Sequence, residues 1–121
     1  MSDRSEKLLV QDIILSITRI KEYTNDLSFD EFIATQLVVD AVIRNFAVIG
    51  EAIARLPLSL KKKNSDIPFR QIKDFRNRII HFYFGIDYQI IWDIITNELD
   101  SILSKFIALN DSLPDSLFDT E

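Results

Sequence analysis

Eight consecutive residues, Arg76-Asn77-Arg78-Ile79-Ile80-His81-Phe82-Tyr83, place the only histidine of the chain within its most basic stretch. An imidazole with an unperturbed pKa near ~6.5 is suited to proton transfer at neutral pH. A neighbouring guanidinium grips an anion through a planar fork of donors, and phosphate suits that fork best. Together they point to acid–base chemistry on something anionic. Each residue also has a plainer account. A single histidine is more often an exposed or satisfied side chain without a role, and Tyr83 reads equally well as a core tyrosine with a wet tip.

The charge distribution supports the anionic reading. Residues 61–82 hold Lys61, Lys62, Lys63, Arg70, Lys73, Arg76 and Arg78 against Asp66 and Asp74, a net +5 in a chain of net −5. The remainder is therefore at −10. A basic island in an acidic molecule is a local anion site rather than a generally adhesive surface, and its attraction should weaken with salt. Lys61 to Lys63 alone read as ordinary solvation.

Around that island the composition is that of a globular protein. With 121 residues the chain makes one domain, 47% hydrophobic and 27% charged. It has no cysteine, so the fold rests on packing without disulfides or zinc–thiolate sites. Residues 1–7 lack the apolar core of a signal peptide, and no apolar run nears the roughly 20 residues of a membrane span. The expected compartment is the cytoplasm, with no membrane contact. No Gly-rich phosphate loop and no metal-ligand cluster appears, so neither an organic cofactor nor a metal is expected.

Two glycines, three prolines and apolar residues at three- and four-residue intervals make the class all-α, an up-and-down bundle of about four main helices. The first covers about 5–25, with Leu9, Ile13, Ile17 and Ile20 on one stripe. Ser28-Phe29-Asp30-Glu31 is a capping box that opens a second helix running to about Leu56, where Pro57 stops it. A polar loop comes next, over Ser59–Ile67. Pro68 suits the first turn of a third helix, which carries the motif and ends near Gly85 as its cap. Asp87 caps a fourth helix through about Leu109, with Ile91, Ile95, Leu99, Ile102 and Phe106 inward. The domain thus covers residues 1–109, and 110–121 form an acidic tail.

Two helices carry anomalies. The apolar residues of the second spread over an arc of about 180°, wider than one core face needs, which suggests cover from two sides and hence a symmetric homodimer. Gly50 lies at the edge of that arc, where a missing side chain lets a neighbouring backbone come close. Asn45 falls inside it, as a packing-specific polar contact or part of a site. On the third helix Arg76 lies within the apolar arc, so it is either paired with Glu51 or Asp40 or held at the rim of an interface cleft to grip phosphate. Asn77, one turn before His81, could orient the ring. Arg76 and His81 fall about 140° apart on an ideal helix. Three resolutions exist: the helix end distorts, the long side chains converge at its edge, or two subunits complete one site. The last agrees with the dimer.

These residues resemble a known family. Arg76-Asn77-x3-His81-x-Tyr83 is similar to the Arg-x4-His-x-Tyr motif of HEPN-domain proteins of the HepT-like branch. Val42-Ile43-Arg44-Asn45-Phe46-x2-Ile49-Gly50-Glu51-Ala52 resembles that branch's second-helix signature, and Phe84-Gly85-Ile86-Asp87-x4-Trp92 resembles the segment on the C-terminal side of its motif. The resemblance covers roughly residues 5–105. Phe75 departs from it, standing where methionine is frequent. It implies a dimeric helical bundle with two motifs facing one cleft, acting as a metal-independent endoribonuclease and as the toxin of a toxin–antitoxin module. It further implies that His81 is the general acid or base, that Arg76 stabilises the scissile phosphate and that Asn77 supports the pair. The implied partner is a nucleotidyltransferase antitoxin that attaches AMP to Tyr83. Lys73 and Arg78, with Arg70 in the same island, would hold the RNA substrate. The alternative is a non-catalytic helical partner that presents a substrate to a nucleotidyltransferase.

Overall fold

The computed structural model describes residues 4–81 and 85–114. Eight helices and one small hairpin occur among them: α1 (Glu6–Thr24), α2 (Phe29–Ala34), α3 (Gln36–Arg55), α4 (Leu58–Lys63), α5 (Phe69–Lys73), α6 (Phe75–Ile79), β1 (Ile80–His81), β2 (Gly85–Ile86), α7 (Tyr88–Asn97) and α8 (Leu99–Ser112). The class is all-α, as the periodicity demands.

The long helices form the body. Leu9, Ile13, Ile17 and Ile20 of α1 are buried against α3 and α8, with Val42, Phe46 and Ile49 of α3 and Ile102 and Phe106 of α8 in the same core. Each such side chain, fully buried, contributes roughly 1.5–3 kcal/mol of transfer free energy. Polar ties fix the lengthwise register. Lys21 pairs with Asp100, and Lys7 Nζ donates to the carbonyls of Asn110 and Leu113 at 3.2 Å each.

The sequence expects four helices, and three of those are divided. The capping box at Ser28 is present in full: Glu31 N–H donates to Ser28 Oγ and Ser28 N–H to Glu31 Oε1. The helix it opens lasts only six residues. Thr35 Oγ1 donates back to the Glu31 carbonyl at 2.8 Å, the kind of contact that bends helices, and Thr35 leaves helical geometry at φ −110°, ψ 83°. The break turns α2 so that Phe29 and Phe32 meet Trp92 of α7, with ring centroids 6.1 and 5.3 Å away. The expected loop over Ser59–Ile67 begins with α4, whose Leu60 is buried. Asp87 caps α7 by accepting from Ile90 N–H, and that helix yields to α8 at Glu98 (φ −119°).

The breadth of the apolar arc on α3 has an explanation within one chain. α1 packs along one side of it and α5 and α6 along another. The arc therefore does not by itself call for a second subunit. Asn45 is buried and donates Nδ2 to the Ala41 carbonyl one turn back, a local bond that fits the packing account.

Candidate active site

Three short elements take the place of the continuous third helix. After Pro68, α5 runs five residues, buries Phe69 and Ile72, and stops. Asp74 (φ −89°, ψ 0°) shares its N–H between the Arg70 and Gln71 carbonyls, both at 3.2 Å, and α6 begins at Phe75. This break is docked on α3 at Gly50. A Cβ built there would stand 2.9 Å from the Lys73 carbonyl oxygen, so only glycine admits the backbone this closely. The close approach expected at Gly50 is thus made by the end of α5, and it fixes where α6 starts.

Arg76 is exposed on α6 and, among the described residues, pairs with neither Glu51 nor Asp40. The break explains the difference. Phe75 and Ile79, one turn apart, form the buried face of α6, whereas the arc that encloses Arg76 on an ideal helix borrows Ile72 and Phe69 from α5. Phe75 packs edge-on against Phe46 of α3, with centroids 5.8 Å apart, and anchors this turn. Arg76 is thereby left facing outward with its donors free of protein partners among the described residues.

The helix then ends before the histidine. Ile80 turns extended (φ −102°, ψ 116°), Ile80 pairs with Ile86, and His81 with Gly85, in a two-residue antiparallel ladder. The Asp87 N–H closes the base of the hairpin on the Ile79 carbonyl at 2.7 Å. Gly85 sits at φ +79°, a left-handed conformation that suits the return of the strand rather than a helix cap. The expectation that His81 lies about 140° from Arg76 on one helix is therefore overturned. Of the three resolutions, the distorted helix end is the one the backbone takes. The side chain of His81 and the whole of Tyr83 lie outside the described residues, as do residues 115–121 of the expected tail; α8 itself continues to Ser112.

Asn77 is exposed and donates Nδ2 to Asp74 Oδ1 at 2.9 Å, which ties the first turn of α6 to the break. Arg78 holds its guanidinium 5.7 Å from the Phe75 ring centroid. Arg70, Lys73 and Arg78, singled out in the sequence, come together with Gln71, Asp74 and Glu98 along one groove of about 780 Å³. Sequence reasoning passed over Asp74 and Glu98, the acids of that groove among the described residues; the i, i+3 spacing of Asp74 and Asn77 was the available sign of the first. It also set aside Lys61. That ammonium lines a neighbouring cleft, and burial, with a further contribution from repulsion by Lys73, pulls its pKa below the usual lysine range. No three of His, Cys, Asp and Glu converge among the described residues.

Fold and site define an all-α HEPN-type bundle with an arginine and a histidine on either side of a helix-to-hairpin junction. Within that class the chain belongs to the HepT-like ribonuclease family, whose profile matches residues 13–109. A protein of Methanocaldococcus jannaschii named "Putative RNase MJ0127" is 38% identical over 105 residues, 87% of either chain. The "Probable ribonuclease HepT" of Thermococcus cleftensis is 34% identical over 106 residues, 88% of this chain and 96% of its own. No solved structure matches the chain. No helix among the described residues is long and apolar enough to cross a membrane.

Proposed function

We propose that this member of the ribonuclease family is a metal-independent endoribonuclease that cuts RNA through Arg76 and His81. The observation that carries the reading is Arg76 itself: a guanidinium carried on α6, exposed, unpaired among the described residues, and five positions before a histidine in the adjoining hairpin. A cation left unpaired in this way is available to a phosphate.

The chemistry rests on RNA's own nucleophile. His81 takes the proton of a ribose 2′-hydroxyl, the 2′-oxygen attacks the adjacent phosphorus as the P–O5′ bond breaks, and the imidazolium so formed returns the proton to the departing 5′-oxygen. Arg76 neutralises the charge that builds on the non-bridging oxygens, and Asn77, braced by Asp74, supports the pair. Since the ribose supplies the attacking oxygen, no metal-held hydroxide is asked for. Arg70, Lys73 and Arg78 hold neighbouring phosphates along their groove.

The same reading makes the protein the toxin of a toxin–antitoxin pair, restrained when a nucleotidyltransferase transfers AMP to Tyr83. Such a group would set negative charge and bulk two residues from the histidine. It also takes the protein to be a homodimer, to which the outward Leu37, 83% exposed at the start of α3, offers an apolar contact. The decisive experiment is RNA cleavage in the presence of chelator. Wild-type protein should cut, and His81→Ala should lose about a thousandfold or more of the rate. Equal activity in the two proteins would remove the assignment. An intact-mass shift by AMP on coexpression with the transferase, absent in Tyr83→Phe, tests the restraint, and sedimentation tests the dimer.

A further inference from the structure

A second cavity, of about 530 Å³, opens between α4 and α5, and its chemistry differs from that of the groove beside it. Ile53, Ile67 and Phe69 are buried and, with Pro68, give it an apolar floor. Lys61, Arg70 and Lys73 line it and, among the described residues, no acid does, in contrast to the Asp74 and Glu98 of the neighbouring groove. This lining is drawn from the basic island of residues 61–82, net +5 in a chain of net −5.

Cations gathered without a carboxylate among the described residues of the lining repel one another, and an anion placed beside Lys61 and Lys73 would relieve that repulsion. Burial first, and repulsion by Lys73 second, hold the Lys61 ammonium below the usual lysine range. An apolar floor beneath paired ammonium groups matches one nucleotide unit: a flat base against Pro68 and the Phe69 edge, and its phosphate between the lysines. The size is right for a small ligand. Arg70, Gln71 and Lys73 line both cavities, so a strand lying in the groove passes directly into the cleft.

We infer that the α4–α5 cleft is a nucleotide subsite, seating a base of single-stranded RNA away from the bond to be cut, with Lys61 and Lys73 on its phosphate. The inference rests on the ribonuclease reading for the identity of the strand. The subsite gives the protein a preference for unpaired RNA, since a base held in a duplex cannot enter it.

The test is fluorescence anisotropy with a short labelled single-stranded RNA on full-length His81→Ala protein, which leaves the strand intact. Adding Lys61→Glu should raise the Kd by roughly tenfold or more. Lys62→Glu, on the same short helix but not lining the cleft, should have a much smaller effect. Removing one base from the RNA should weaken binding to the Lys61 protein by about tenfold, and to the Lys61→Glu protein by less. Equal losses from Lys61→Glu and Lys62→Glu would reduce the cleft to general electrostatics and overturn the inference, as would absent binding at low salt. Cleavage by wild type is read separately, so a failed subsite and a failed ribonuclease assignment give different results.

Discussion

The slab made by α1, α3 and α8 and the segment from Pro68 to Asp87 are held in place differently. In the slab, long helices bury many equivalent side chains, so position is shared among redundant contacts. Among the described residues of the segment no helix exceeds five residues, and isolated helices of that length have no stability of their own. Its geometry hangs on a few individual features: the Gly50–Lys73 approach, the Phe75–Phe46 edge contact, and the Asp87–Ile79 hydrogen bond. The redundant part supplies stability, and the singular part supplies placement.

That contrast can be broken by mutation. The largest stability effect belongs to the slab: Ile17→Ala, at a fully buried site, should cost about 2–5 kcal/mol in denaturant unfolding. Cleavage per folded molecule should survive. Gly50→Ala should do the opposite. Helix propensity alone would favour alanine by about 1 kcal/mol. The Lys73 carbonyl is backbone and cannot swing aside, so a net loss of about 1–3 kcal/mol is expected. Cleavage should fall by roughly tenfold or more as α6 shifts. Proportional losses in both assays would erase the distinction.

Smaller effects sharpen it. Gly85→Ala meets no steric obstacle among the described residues, yet φ +79° should cost it about 1–2 kcal/mol, with activity falling as the hairpin loosens. Ser28→Ala, far from the motif in sequence, should cost about 1 kcal/mol in thermal unfolding and leave cleavage alone. It should also flatten part of the acid limb. The Ser28 backbone N–H and then its hydroxyl hold the Glu31 carboxyl below its ordinary range. The folded state therefore binds fewer protons than the unfolded one. The associated stability is complete above the unfolded pKa and is lost as pH falls through the folded value.

Legibility in the sequence divides along the same line. The stripe Leu9, Ile13, Ile17, Ile20 is buried as its spacing requires, and the caps at Ser28 and Asp87 are made by the residues that announce them. Redundant periodic patterns survive one misplaced residue. The segment does not, because a break at Asp74 rephases everything after it. Its hairpin did leave a trace: Ile79 to Phe84 is a run of β-branched and aromatic residues, with His81 inside it, closed by Gly85. Helical periodicity on either side obscured it. Arg76, Asn77 and the basic residues were identifiable by type, but their facing direction was not, since that depends on where the helix restarts.

The clasp of Lys7 on the carbonyls of Asn110 and Leu113, at and just beyond the end of α8, makes the described chain nearly a closed ring, with residues 4 and 114 at one pole of the bundle. Topologically, the order in which the helices are threaded then matters little. A circular permutant joining residue 114 to residue 4 through a short flexible bridge, and opened at the turn around Asp26, would keep every helix in place.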